Sequence, residues 1–138
     1  MIPRTLYDSD HDMFRDSLRK FIQAEGMPNH EQWEKDGMVS DEIWLKAGEQ
    51  GFLCPMVPEE YGGVGTDFLY NCIVNEEIGR SGCTGLGWTL HNDITVPYIV
   101  RYGSEEQKQK YLPRCITGEL ITAIAMTEPG AGSDANSG

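Results

Sequence analysis

The chain has 138 residues, 39% hydrophobic and 24% charged, with a net charge of −11. A balance this acidic offers no basic surface for a nucleic-acid backbone, and no run approaches the roughly 18–20 apolar residues of a membrane span. The length suits one domain with its own core.

The opening "MIPRTLYDSDHDMF" has neither a basic n-region nor an apolar h-region, so it does not read as a secretory signal, and it is too acidic for a transit peptide. A cytoplasmic location is the expectation, or the mitochondrial matrix if the organism is eukaryotic and a transit peptide was removed. The four cysteines, Cys54, Cys72, Cys83 and Cys115, form no C-x-x-C pair and have no histidine partners nearby in sequence. They read as buried free thiols, and no metal site is expected.

In chain order, Phe14, Leu18, Phe21 and Ile22 recur at the spacing of one helix face, with Ser9 as the expected cap and Gly26 as the expected stop. A polar loop containing Trp33 is expected next. "SDEIWLKAGEQG" predicts a helix from the Ser40 cap to Gly51. The two prolines and three glycines of "CPMVPEEYGGVGTD" (54–67) predict an ordered loop. A helical pattern returns from Thr66 to Gly79, with Leu69, Cys72 and Ile73 inward and Glu76 and Glu77 late.

Residues 84–102 are apolar on nearly every side apart from His91-Asn92-Asp93, which predicts a buried helix kinked at Pro97. Ser104 and Gln107 form a capping-box pattern, and Pro113 and Gly118 are expected to end the helix that follows. "LITAIAM" (120–126), short and bounded by Gly118 and by Pro129-Gly130, predicts a strand. One strand cannot satisfy its own backbone groups. The expected organisation is therefore a helical domain over 1–118 and the start of a β domain over 119–138.

The final turn, "AMTEPGAGSD", concentrates the chemistry. Gly130, Gly132 and Ala135 formally match the G-x-G-x-x-A dinucleotide fingerprint. That motif needs a following helix within a βαβ unit, and the preceding segments are helices, so the Rossmann reading is rejected. The local physics remains: glycines that allow close backbone approach, hydroxyls at Thr127 and Ser133, and backbone N–H groups able to hold an anion. These features suit a ligand site and a capped β-turn equally.

"AMTEPGAGSD" resembles the signature of the acyl-CoA dehydrogenase family. "VPEEYGGVG" (57–65), "SEEQKQKYLP" (104–113) and "SDHDMFRDSLRKF" are similar to that family's early loop, its helix before the first strand and its opening helix, the last especially as in long-chain members. The resemblance implies an all-α N-terminal domain of this type, ending in the first strand of a truncated β domain. It implies α,β-desaturation of a medium- to long-chain acyl-CoA thioester with FAD as cofactor. It also implies an electron-transferring flavoprotein as acceptor, and a homo-oligomer when full length.

By position, the resemblance assigns flavin contact to Ile124, Ala125, Met126, Thr127, Glu128, Pro129, Gly130, Ala131, Gly132 and Ser133. Met126 and Thr127 would face the ring system, Gly132 and Ser133 the phosphates and the CoA part of the substrate. Ser133, Gly87 and His91 are the implied substrate contacts, on the view that the helix over 84–102 lines the acyl pocket. Gly85 and Gly87 would deepen that pocket, although glycines there equally suit close helix packing, and His91 equally suits a hydrogen-bonded place in the core. No residue is assigned as catalytic. The family's catalytic glutamate lies far downstream, so Glu128 is rejected as the base and the 138 residues alone are expected to be inactive. A same-fold acyl-CoA oxidase or flavin monooxygenase, or a non-enzymatic helical module, are the alternatives.

Overall fold

A computed structural model describes residues 5–129. The first helix, α1 (Ser9–Phe21), is capped by Asp8 rather than Ser9. Its carboxylate accepts from the backbone N–H groups of Asp10 and His11 at 3.0 and 3.1 Å. A charged acceptor at a helix N-terminus outcompetes the neighbouring hydroxyl.

Gly26 does not stop this helix. The chain runs through a π-helical turn (Ile22–Gly26) directly into α2 (Met27–Asp36), and the expected polar loop around Trp33 is helical. Pro28 explains the widened turn. It has no N–H to donate and its ring needs room behind it, which a π turn supplies. The helix ends at Gly37, whose φ of 70° is the left-handed cap.

The same device recurs at Pro97. Residues 84–87 are turns and irregular chain rather than helix. A π turn (Leu90–Thr95) then leads into α5 (Val96–Tyr102), with Pro97 in its first turn. The expected kink is therefore a π turn, with the Val96 N–H bonded to the His91 carbonyl five residues back. Nor is this segment buried on all sides, because Tyr98 and Tyr102 are 60% and 69% exposed.

The other helices follow their sequence signals more closely. Helix α3 (Asp41–Glu49) begins after Ser40, although that side chain makes no capping bond. Helix α4 (Phe68–Ser81) is capped by Asp67 and closed by Gly82. Its buried residues are Asn71, Ile73, Val74, Glu77 and Ile78, while Leu69 and Cys72 are only half-buried. Helix α6 (Glu105–Thr117) carries the reciprocal box: Ser104 N–H donates to Gln107 Oε1 at 2.8 Å, and Gln107 N–H to Ser104 Oγ at 3.2 Å. Pro113 lies inside α6 instead of ending it. The carbonyl it leaves unbonded belongs to exposed Gln109, where water can satisfy it. Gly118 is the stop.

Helix α1 packs along α4, and α6 receives both α3 and α5. Between them lies a core built on Leu18, Ile22, Ile73, Trp88 and Leu112, with Phe14 and Phe21 partly buried against it. Cys54, Cys83 and Cys115 are buried, Cys72 is half-buried, and all four thiols are free. Residues 121–127 leave the helices without forming a ladder. The expected strand has no second strand among the described residues to pair with. No helix of the described residues is long and apolar enough to cross a membrane.

Candidate functional site

The polar break in the apolar stretch over 84–102 organises the region from which segment 121–129 departs. The π turn over 90–95 sends its polar side chains in different directions, because its wider coil spreads neighbours that an α-helix would stack. Asn92 turns to the loop before it, accepting from the Cys54 N–H at 2.8 Å and donating to the Phe52 carbonyl at 3.2 Å. Asp93 turns to α4, where it accepts from Asn71 at 2.5 Å and from Asn75 at 2.7 Å. Burial raises the Asp93 carboxyl above the ordinary carboxylate range, against the opposing pull of those two bonds.

His91 turns towards α6 and the departing segment. It is fully buried and lies edge-on to Trp44, with ring centroids 5.4 Å apart. Its Nε2 is 3.1 Å from the Cys115 carbonyl, and its Nδ1 is 2.8 Å from Thr122 Oγ1 and 3.3 Å from the Thr122 nitrogen. A carbonyl can only accept, so Nε2 carries the hydrogen and Nδ1 is the acceptor. Burial depresses the imidazole below its ordinary range, which keeps this neutral tautomer in place. Thr95, one turn along, also bonds the Thr122 hydroxyl. His91 thus occupies the hydrogen-bonded core place rather than an exposed wall.

The level of α6 is set by two glycines. A Cβ at Gly48 of α3 would run into the Thr117 carbonyl, and one at Gly118 would run into the Trp44 carbonyl. Helices α3 and α6 therefore approach backbone to backbone, which locates Cys115 beneath His91.

Beyond the tether, Ile124, Ala125, Met126, Thr127, Glu128 and Pro129 follow one another in exposed chain. No hydrogen bond joins 123–127 to the other described residues. Gly130, Ala131, Gly132 and Ser133 lie outside the described residues. Gly87 is exposed in the turn before the π segment, where an added Cβ would make ordinary contact with the Trp44 ring at 3.6 Å. Gly85 stands two residues earlier at a half-open cleft of about 290 Å³, lined also by Trp33, Met38, Val39 and Thr84.

Sequence reasoning did not single out Thr95, Thr122 or the Cys115 carbonyl. The available signal was the His91–Thr95 spacing of four within an apolar stretch.

The acyl-CoA dehydrogenase N-terminal domain model matches residues 8–119. The chain is 52% identical over 131 residues to the mitochondrial long-chain specific acyl-CoA dehydrogenase of Mus musculus, covering 95% of this chain and 30% of that protein. It superposes on an acyl-CoA dehydrogenase from Geobacillus kaustophilus with a TM-score of 0.91 and 54% identity, over 96% of this chain and 35% of that one. An acyl-CoA dehydrogenase complexed with FAD from Bacillus anthracis gives 0.89 and 38%, over 99% of this chain and 24% of that one. The chain spans about a third of the length of the curated relatives it matches. With a family model over most of its length and helices that superpose on solved members, the chain belongs to the acyl-CoA dehydrogenase family, whose N-terminal domain it carries.

Proposed function

We propose that this chain is part of a flavoenzyme that desaturates the α,β bond of a medium- to long-chain acyl-CoA thioester. The observation that carries the reading is the segment 121–129. It is anchored at Thr122 and then exposed, with no helix or ladder over 123–127, and it leads into the family signature. Such an edge fits a flat heteroaromatic ring with polar atoms along its rim, because backbone N–H and C=O groups can meet those atoms in one plane. Were the run to pair as a strand, alternating Ala123, Ala125 and Thr127 would leave one side of it small and end it in a hydroxyl. Bound flavin would supply the electron acceptor for the desaturation.

The chain's own residues bind and orient. Ile124 to Pro129 give the cofactor an edge, with Met126 offering its backbone and Thr127 its hydroxyl. Gly130, Ala131, Gly132 and Ser133 continue the site to the phosphates, with Ser133 also meeting the CoA part of the substrate. Gly87, beside the cleft at Gly85, leaves room for the hydrocarbon tail, whose binding grows with buried apolar area. Glu128 is exposed, and the family resemblance places the catalytic carboxylate far downstream. The proton is therefore taken by a carboxylate supplied outside these residues. The acceptor of the electrons is proposed to be an electron-transferring flavoprotein, and the full-length protein a homo-oligomer. The name of the mouse relative supports a mitochondrial location in a eukaryote.

The full-length gene product should purify yellow and bleach anaerobically when mixed with acyl-CoA thioesters of increasing chain length. Replacing Gly87 with Leu should shift the preference towards shorter chains. A protein that takes up no flavin, or one that is not reduced by any acyl-CoA, would overturn the reading. Rapid reoxidation by oxygen would move it to an oxidase.

A further inference from the structure

We propose that His91 is a positioning residue for the flavin segment, clamping its root through Thr122 and so fixing where Met126 and Thr127 stand; this rests on the functional reading above. Within 121–129, Thr122 alone is not exposed, and it is held by both its backbone N–H and its hydroxyl. The clamp has three walls. Nε2–H is committed to the Cys115 carbonyl of α6, which orients the ring and leaves the Nδ1 lone pair aimed at Thr122. Thr95 grips the same hydroxyl from the π turn. Trp44 of α3 closes the edge of the ring.

All three walls belong to helices with independent anchors, so the clamp does not move with the segment it holds. From Thr122 to Met126 an extended chain covers about 13 Å. No other described residue bonds 123–127, and the direction in which the segment sets out is decided at this one residue. A neutral imidazole suits the task because it offers one donor and one acceptor on opposite sides of a rigid ring. An apolar ring of similar size would fill the space and hold nothing.

In the full-length protein, His91→Phe should weaken flavin binding about tenfold, the scale of losing one to two hydrogen bonds. It should also shift the reduction potential of the bound flavin. His91→Gln, which keeps one donor and one acceptor, should restore most of the affinity. Thr122→Val removes only the hydroxyl and should fall between them; it decides the matter if His91→Phe fails to fold. Amide exchange provides a readout independent of flavin, since the Thr122 N–H should be protected in the wild type and lose that protection in His91→Phe. Wild-type affinity and potential in both His91→Phe and Thr122→Val would overturn the proposal. Failure of the functional reading is distinguishable, because there the wild type itself would bind no flavin.

Discussion

Two clusters of buried polar groups, one between α1 and α4 and one around the π turn over 90–95, differ in kind. Between α1 and α4 the cluster is ionic. Glu77 is only 2% exposed, yet it accepts from Arg15 at 3.0 Å and from Arg19 at 2.8 and 2.9 Å. The bonds from Arg19 come first in holding its carboxyl below the usual range, and they prevail together with Arg15 over the opposing effect of burial. Glu76 adds a second carboxylate to Arg15 at 2.7 Å. In the other cluster, around His91, Asn92, Thr95 and Thr122, the partners are neutral and most bonds run to backbone atoms. Charges can be buried only in matched sets, so the ionic cluster locks two helices to each other. Neutral side chains can reach single carbonyls and N–H groups, so the second cluster can hold a segment that has no secondary structure of its own.

The largest expected effect falls on the ionic side. Replacing Glu77 with Ala strips Arg19 of its paired bonds and leaves Arg15 with Glu76 alone, and should cost on the order of 3 kcal/mol of stability. A urea midpoint that hardly moves would show that this cluster is solvated and that the contrast is false. Next comes the footing of the neutral cluster. Gly48→Ala drives a methyl group towards the Thr117 carbonyl, which should cost about 1–3 kcal/mol and lower the protection of the Thr122 amide. Lost stability with unchanged Thr122 exchange would separate the clamp from the α3–α6 joint.

The smallest effect is a pH dependence in which two histidines oppose each other. His91 has a depressed affinity for protons in the folded chain, so the unfolded chain binds more protons as pH falls below about 6.5. Its contribution is present above that pH and is lost towards acid. His11 behaves in the reverse sense. Burial pulls its affinity down, but hydrogen bonds to Asp8 and Asp67, with their charges, together raise it above the ordinary range. Its contribution is complete below about pH 6.5 and fades as pH rises through the raised value. Comparing wild type with His11→Asn should give a stability difference that is largest near pH 6 and shrinks towards pH 8. A difference that grows with pH would reverse the assignment.

Much of the helical scaffold was legible because its signals are local. The apolar spacing of Phe14, Leu18, Phe21 and Ile22, the Ser104–Gln107 box and the left-handed stop at Gly118 depend on residues within a turn of one another. Where a local signal met a tertiary one, the local one gave way. Gly26 could have capped a helix, but Pro28 and the packing of Ile22 favour a π turn that carries the helix onward. Nothing local marked Glu77 as buried, and only the two arginines of α1, about 60 positions away in sequence, make its burial tolerable. In the candidate site, the signature over 125–134 was readable as a glycine-rich turn with hydroxyls at Thr127 and Ser133. The hold on it was not, because His91, Thr95, Cys115 and Thr122 meet only after two helices have folded back on each other.

By itself, then, the sequence determined where most of the helices run and which positions face inward within several of them, since these depend on side-chain periodicity and on backbone propensities that act over a few residues. Tertiary structure alone decided how two proline-bearing helices continue, which acid is buried, and where the segment after α6 is held. Each of those outcomes compares the desolvation of a polar group with the bonds it gains from residues distant in sequence, and that balance exists only once the helices are packed.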